Sequence, residues 1–167
     1  VSVSDLVALG RHPWGDAGSA KASAAIQDAM RLMDVLHLRD RPATELSGGE
    51  QARVLAARAI AQDTPLLLAD EPASGLDPAH QIRMMQALRE LGARGRGVLV
   101  SLHDLGLAAR WCDRVVVLSQ GRLLADGAPD VVLDDATLAD VFGITAFRSR
   151  DAGGPVLLPT GLTEMGE

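Results

Sequence analysis

Residues 44–61 read TELSGGEQARVLAARAIA. The run from Glu50 onward is rich in Ala, Leu, Arg and Gln, all good helix formers, and Ser47 with Glu50 makes an S-x-x-E capping box that marks a helix start. Between the two ends of that box stand Gly48 and Gly49. Each glycine costs a helix roughly 1 kcal/mol relative to alanine, and the capping box does not require them. Two missing Cβ atoms leave bare the first backbone N–H groups of the helix, which have no partner within it. The helix dipole adds about half a positive charge there. A serine hydroxyl, open amides and that charge together suit an anion, above all phosphate. The plainer alternative is a cap with incidental glycines.

Outward from this helix the chain changes character. Residues 1–62 read as helical. Ser4–Arg11 has a capping serine and a short apolar pattern that stops at Pro13. Ser19–Leu38 places Ile26, Met30, Met33 and Leu36 or His37 at helical spacing. Pro42 breaks the chain before the glycine-bearing helix. From Pro65 strands alternate with helices, which predicts an α/β fold with a mostly parallel sheet covered by helices. PLLLADEP (65–72) and GVLVSL (97–102) are short apolar runs of the kind that forms strands buried on both faces. Asp77 caps a helix that has Pro78 at its first position. Gln120-Gly121 turns a hairpin. Two small helical pieces and two edge strands, ITAFRS and GPVLLP, follow. The expected segments are 1–62, 63–127 and 128–167.

Composition narrows the function. The chain has 167 residues, is 47% hydrophobic and carries a net charge of −6, so it can bury a core and is poorly suited to general nucleic-acid binding. Only 2% of residues are aromatic, too few for a base-stacking platform. Cys112 is the single cysteine, which excludes a disulfide within the chain and a cysteine-rich metal site. No apolar run approaches the roughly 18 residues of a membrane span.

Chemistry-bearing residues gather at strand ends. Asp70 and Glu71 end an apolar strand, where α/β sheets hold their ligands. A carboxylate there suits Mg²⁺, and a second can orient a water for attack on phosphorus. The bland reading is a loop whose acid caps the next helix. SGLD (74–77) is explained by turn and cap alone. His103 follows the second apolar strand and could donate to a phosphate, although a lone histidine is more often solvent-facing. His12, His37 and His80 show no partnering in sequence.

Taken in order, these pieces resemble the ATP-binding-cassette (ABC) ATPases. LSGGE (46–50) is similar to the family's signature motif, with Glu50 where Gln is commonest; LLLADEP resembles the Walker B strand and its glutamate, SGLD the D-loop, SLHD (101–104) the H-loop. The resemblance runs over nearly the whole chain and implies a P-loop NTPase fold of the ABC type. It implies that Asp70 holds Mg²⁺, that Glu71 polarises the attacking water and that His103 contacts the γ-phosphate. It further implies that Ser47, Gly48, Gly49 and Glu50 meet ATP held by an opposite subunit, and that Asp77 communicates across that dimer. The family's phosphate loop, G-x-x-x-x-G-K-[ST], needs a lysine. The only lysine, Lys21, sits in GSAKAS, without the preceding glycine or strand. The resemblance therefore makes this chain the C-terminal two-thirds of a cassette, beginning inside the helical subdomain. The chain by itself is then expected to bind ATP weakly, to hydrolyse none, and to fold poorly.

LVALGRHPW, HDLGLAARWCDRVVVLSQGRLLADG and VFGITA…GPVLLP resemble bacterial importer ATPases for iron–siderophore, haem or cobalamin uptake. This implies transmembrane permease subunits as partners, a periplasmic binding protein indirectly, no nucleic acid, and a peripheral place on the cytoplasmic face of the inner membrane. The alternatives are a soluble ABC ATPase of repair or translation, and a truncated, non-hydrolysing binding module.

Overall fold

Ser2 caps the first helix, α1 (Val3–Ala8): its hydroxyl accepts from the Asp5 N–H, and Asp5 returns the bond in a capping box. The sequence had suggested Ser4 for this role. Ser2 wins because Asp5 lies three residues on, where the box needs an acid. The chain then tightens into a 3₁₀ segment, Leu9–Trp14, that accommodates Pro13. Ser19 caps α2 (Ala20–Leu32). This helix ends sooner than its apolar spacing suggests, because Asp34 takes a left-handed conformation (φ 53°). Met30 and Met33 are buried as expected, Ile26 and Leu36 are half-buried, and His37 is exposed.

The glycine-bearing helix is α3 (Gly48–Ala61), packed against α1 and α2. Its far end is held from the 3₁₀ segment. The Arg11 guanidinium, 2% exposed, donates to the carbonyls of Ala61 (3.1 Å) and Gln62 (3.2 Å), filling carbonyls that a helix C-terminus leaves open. It also pairs with Asp16 and lies 5.6 Å from the centre of the Trp14 ring. Gly10 permits this approach: a Cβ there would stand 2.2 Å from the Arg58 carbonyl oxygen.

The Arg11 hydrogen bond holds the Asp16 carboxyl below the usual carboxylate range. A depressed folded-state value contributes stability that is complete above the unfolded value of about 4 and is lost as pH falls through the folded one. Asp16→Asn is therefore expected to lower the urea midpoint at pH 7 and to flatten its decline below pH 4. Equal acid limbs in the two proteins would remove this pair from the acid response.

After α3 come β1 (Leu66–Asp70), α4 (Pro78–Ala93) and β2 (Gly97–Ser101). The strands pair in parallel from Leu66–Gly97 to Asp70–Ser101. The sequence suggests that both strands are buried on both faces; they are not. Leu67, Ala69, Val98 and Val100 are half-buried, and α4 packs on β2. The alternate row is open, with Leu66, Leu68 and Leu99 54%, 66% and 61% exposed.

The structure, a computed model, describes residues 1–163. Its chain forms two compact units, Val1–Ser101 and Leu102–Glu167. The last four residues of the expected 128–167 segment lie outside the described residues. In the second unit Asp104 caps α5 (Leu105–Trp111). β3 (Val115–Ser119) and β4 (Arg122–Gly127) form the expected hairpin; Gln120 (φ 49°) and Gly121 (φ 73°) are both left-handed, as a tight hairpin turn demands. α6 (Pro129–Val132) and α7 (Asp135–Phe142) lead to β5 (Ile144–Asp151) and β6 (Gly154–Leu162), which pair antiparallel with each other. Among the described residues parallel pairing is confined to β1–β2, which α4 connects, while β3–β4 and β5–β6 pair as antiparallel hairpins. Ala109, Val117, Val132, Leu133, Leu138 and Leu157 form this unit's core. Among the described residues no helix is long and apolar enough to cross a membrane.

Candidate functional site

The expected carboxylates stand at the end of β1, and the structure adds a partner that the sequence reading missed. Asp70 is directly opposite Ser101 in the parallel register. The Ser101 hydroxyl donates to Asp70 Oδ1 and accepts from the Glu71 N–H at 2.9 Å. One side chain thus holds the Asp70 carboxylate and the Glu71 backbone. The only sequence signal for Ser101 was its place as the last residue of the second apolar strand. Glu71 itself makes the turn that follows the strand. Its φ of 43° is a left-handed value uncommon outside glycine, so the chain leaves the strand line there, before Pro72. Both carboxylates are exposed. A cleft of about 320 Å³ reaches them, walled by Leu55, Ala56 and Ala59 of α3 and by Met84 and Leu88 of α4.

The α3 start has the predicted geometry. The Ser47 hydroxyl accepts from the Glu50 N–H at 3.4 Å, while Glu50 Oε2 accepts from the Ser47 N–H at 2.8 Å and from its hydroxyl at 2.9 Å. These bonds, the backbone one first, hold the Glu50 carboxyl below its usual range, with Arg41 and Arg53 adding to the effect. Ser47 and Gly48 are exposed. A Cβ at Gly48 would meet no heavy atom within 4 Å. One at Gly49 would lie 3.9 Å from Leu76 Cδ2, which sets the second glycine beside the SGLD turn. Two arginines absent from the sequence reading complete this end. Arg41 faces Glu50, and Arg53, 7% exposed, donates to the carbonyls of Gly49 (3.4 Å) and Asp34 (3.3 Å).

Asp77 caps α4 through the His80 N–H (3.0 Å), and its other oxygen lies 2.6 Å from His80 Nδ1. Both contacts hold its carboxyl low. His80, read from sequence as unpartnered, is therefore the partner of Asp77. Their i, i+3 spacing in the first helical turn was the available signal. His103 belongs to the second unit, exposed, one residue before the α5 cap.

Known proteins share this organisation. Residues 3–74 match the ABC transporter family model. The hemin import ATP-binding protein HmuV of Rhodococcus jostii is 43% identical over 92% of this chain, and that of Bordetella avium 42% identical over 95%. The chain spans 54% and 65% of the length of these two relatives. Among solved structures, a metal-chelate-type ABC transporter in an inward-facing conformation superposes with a TM-score of 0.82, at 24% identity, over 98% of this chain and 67% of that one. CbiO1 from Clostridium perfringens, part of the ABC transporter complex cbiONQ, gives 0.69 at 25% identity over 84% of this chain and 58% of its own. The signature-type start of α3, the paired acids at the end of β1 and these matches carry one conclusion: the chain belongs to the ATP-binding-cassette transporter family.

Proposed function

We propose that this chain forms part of the ATP-hydrolysing subunit of a bacterial ABC importer that drives uptake of a metal chelate, with haem the first candidate. The observation that carries the ATPase reading is the end of β1, where Ser101 holds both the Asp70 carboxylate and the Glu71 backbone N–H. Support for haem comes from the HmuV relatives, which are named for hemin import. Siderophore and cobalamin remain within the same chemical class of cargo.

In this reading Glu71 accepts a hydrogen bond from, and so polarises, the water that attacks the γ-phosphorus, and His103 donates to the γ-phosphate. Ser47, Gly48 and Gly49 meet the phosphate of ATP bound by a second subunit while Glu50 holds Ser47 in place, and Asp77 with its turn carries the response across the dimer. Magnesium suits the donor set. Among the described residues no group of three metal-ligating side chains comes together, and a hard cation that keeps its waters and takes phosphate oxygens needs only one or two carboxylates. Asp70, with its carboxylate fixed by Ser101, is the residue that would hold it. When bound there the ion would supply charge neutralisation to the phosphates. The cleft beside Asp70 and Glu71 is lined by apolar groups, Ser74 and these two acids. It offers a triphosphate no cation of its own, so a phosphate-cradling lysine loop is needed for tight binding.

The helical segment 1–62 is read as the part that receives the permease subunits on the cytoplasmic side of the membrane. The test is reconstitution of the full-length protein with its permease in vesicles. Haem accumulation that requires ATP is expected. ATP hydrolysis without coupled uptake of haem or of another metal chelate would sink the importer reading, and failure to associate with any permease would favour a soluble ATPase.

A further inference from the structure

We infer that Arg41 is the charge-compensating residue that allows a signature turn bearing glutamate to receive phosphate. The inference rests on the reading of Ser47, Gly48 and Gly49 as a phosphate-meeting turn. A glutamine at position 50 could offer the same carbonyl oxygen to Ser47 without charge. Glu50 instead brings a carboxylate one hydrogen bond away from the serine hydroxyl, at 2.9 Å, and only 21% of its side chain is exposed. Its hydrogen bonds hold it ionised at neutral pH. An anion approaching the bare amides of Gly48 and Gly49 therefore meets a fixed negative charge at the place where the helix dipole should attract it.

Arg41 faces that charge. Its Nη1 lies 3.3 Å from Glu50 Oε1 and 3.5 Å from Oε2, so it sits across both oxygens. Its Nη2 donates to the Glu45 carbonyl at 2.5 Å, which anchors the guanidinium to the turn just before the signature. The side chain remains 40% exposed, so its charge is open to an incoming anion as well as to Glu50. Arg53 also places positive charge near Glu50, but it is buried and committed to the carbonyls of Gly49 and Asp34. Arg41 is thus the cation that a phosphate at this turn can feel directly. An exposed ion pair contributes little to stability. Its consequence belongs in phosphate affinity.

The experiment is steady-state ATP hydrolysis by the full-length protein assembled with its permease, with thermal unfolding recorded for every variant. Arg41→Gln leaves Glu50 without its exposed cation and is expected to raise KM for ATP about tenfold, the scale of one partly screened charge several ångströms away, with melting unchanged. Arg41→Lys keeps the charge and the KM. Glu50→Gln alone lowers KM, and in the Arg41→Gln/Glu50→Gln protein KM returns to within about twofold of the parent. Equal defects in Arg41→Gln and the double variant would mean that Arg41 acts through the backbone of the turn and would overturn the inference. So would an unchanged KM in Arg41→Gln. Gly48→Asp separates the two levels. If that protein stays active, the phosphate reading of the turn falls and this inference with it. If it is inactive while the Arg41–Glu50 cycle shows no rescue, only the compensation falls.

Discussion

Glu71→Gln is expected to lower kcat for ATP hydrolysis by the full-length protein about a hundredfold or more, while nucleotide affinity stays within about twofold. The substitution keeps the shape of the side chain and removes its capacity to draw a proton from water. A positioned base contributes roughly 10²–10⁴ to such a step. The environment explains why no other residue replaces it. Glu71 is set by its own left-handed backbone and by the bond from its N–H to the Ser101 hydroxyl at 2.9 Å. The backbone N–H is untouched in the glutamine variant, so the turn persists. Asp70 is not expected to substitute, because in the same reading its carboxylate, held by the Ser101 hydroxyl, is the one that takes Mg²⁺. Rates measured under saturating ATP, with binding followed independently, decide the matter. A kcat within tenfold of the parent would move the base to another residue and leave Glu71 a turn-former.

The elements that were legible in the sequence were those specified by a few adjacent residues. The α3 start follows from Ser47 and Glu50 three apart, the α4 start from Asp77-Pro78, and the β3–β4 turn from Gln120-Gly121. Each is a local bond or dihedral that no distant partner needs to complete. Burial of β1 and β2 was misread for the opposite reason. A run such as Leu66-Leu67-Leu68-Ala69 suits a strand covered on both faces equally well on each, and only the position of α4 decides that the row of Leu66, Leu68 and Leu99 is left open. The supporting side chains were hidden likewise. Ser101 lies 31 residues from Asp70, and Arg11 lies 50 residues from the Ala61 carbonyl that it fills. Nothing in the immediate sequence of Arg11 marks it as a partner, and Ser101 is marked only by its place at a strand end. The candidate site was therefore legible as a set of acids, glycines and a serine at element ends. The groups that orient those acids and balance their charge were not.

Gly48→Asp separates the needs of the fold from those of the site most sharply. Gly48 is the first residue of α3, and a Cβ there meets no heavy atom within 4 Å. The fold has room for a side chain. Alanine would stabilise the helix by up to about 1 kcal/mol, and an aspartate in the first turn also interacts favourably with the helix dipole. On structural grounds alone the variant should fold as well as the parent or better. A phosphate approaching the bare amides would instead meet a carboxylate. Two unit charges about 5 Å apart repel by roughly 3 kcal/mol at an intermediate dielectric, which corresponds to a loss of about a hundredfold in ATP-dependent activity. The expected result is a full-length protein with an unchanged or raised urea midpoint and almost no ATP hydrolysis. If activity survives, the two glycines serve only to bring the α3 start close to its own neighbours, such as Leu76 beside Gly49. If activity and stability fall together, the open space at Gly48 is needed by the fold itself. Loss of activity at full stability is the one outcome that a mere helix cap cannot produce, because a cap improves when glycine is replaced. In that case the helix accepts its two poorest ordinary residues so that phosphate can reach its backbone.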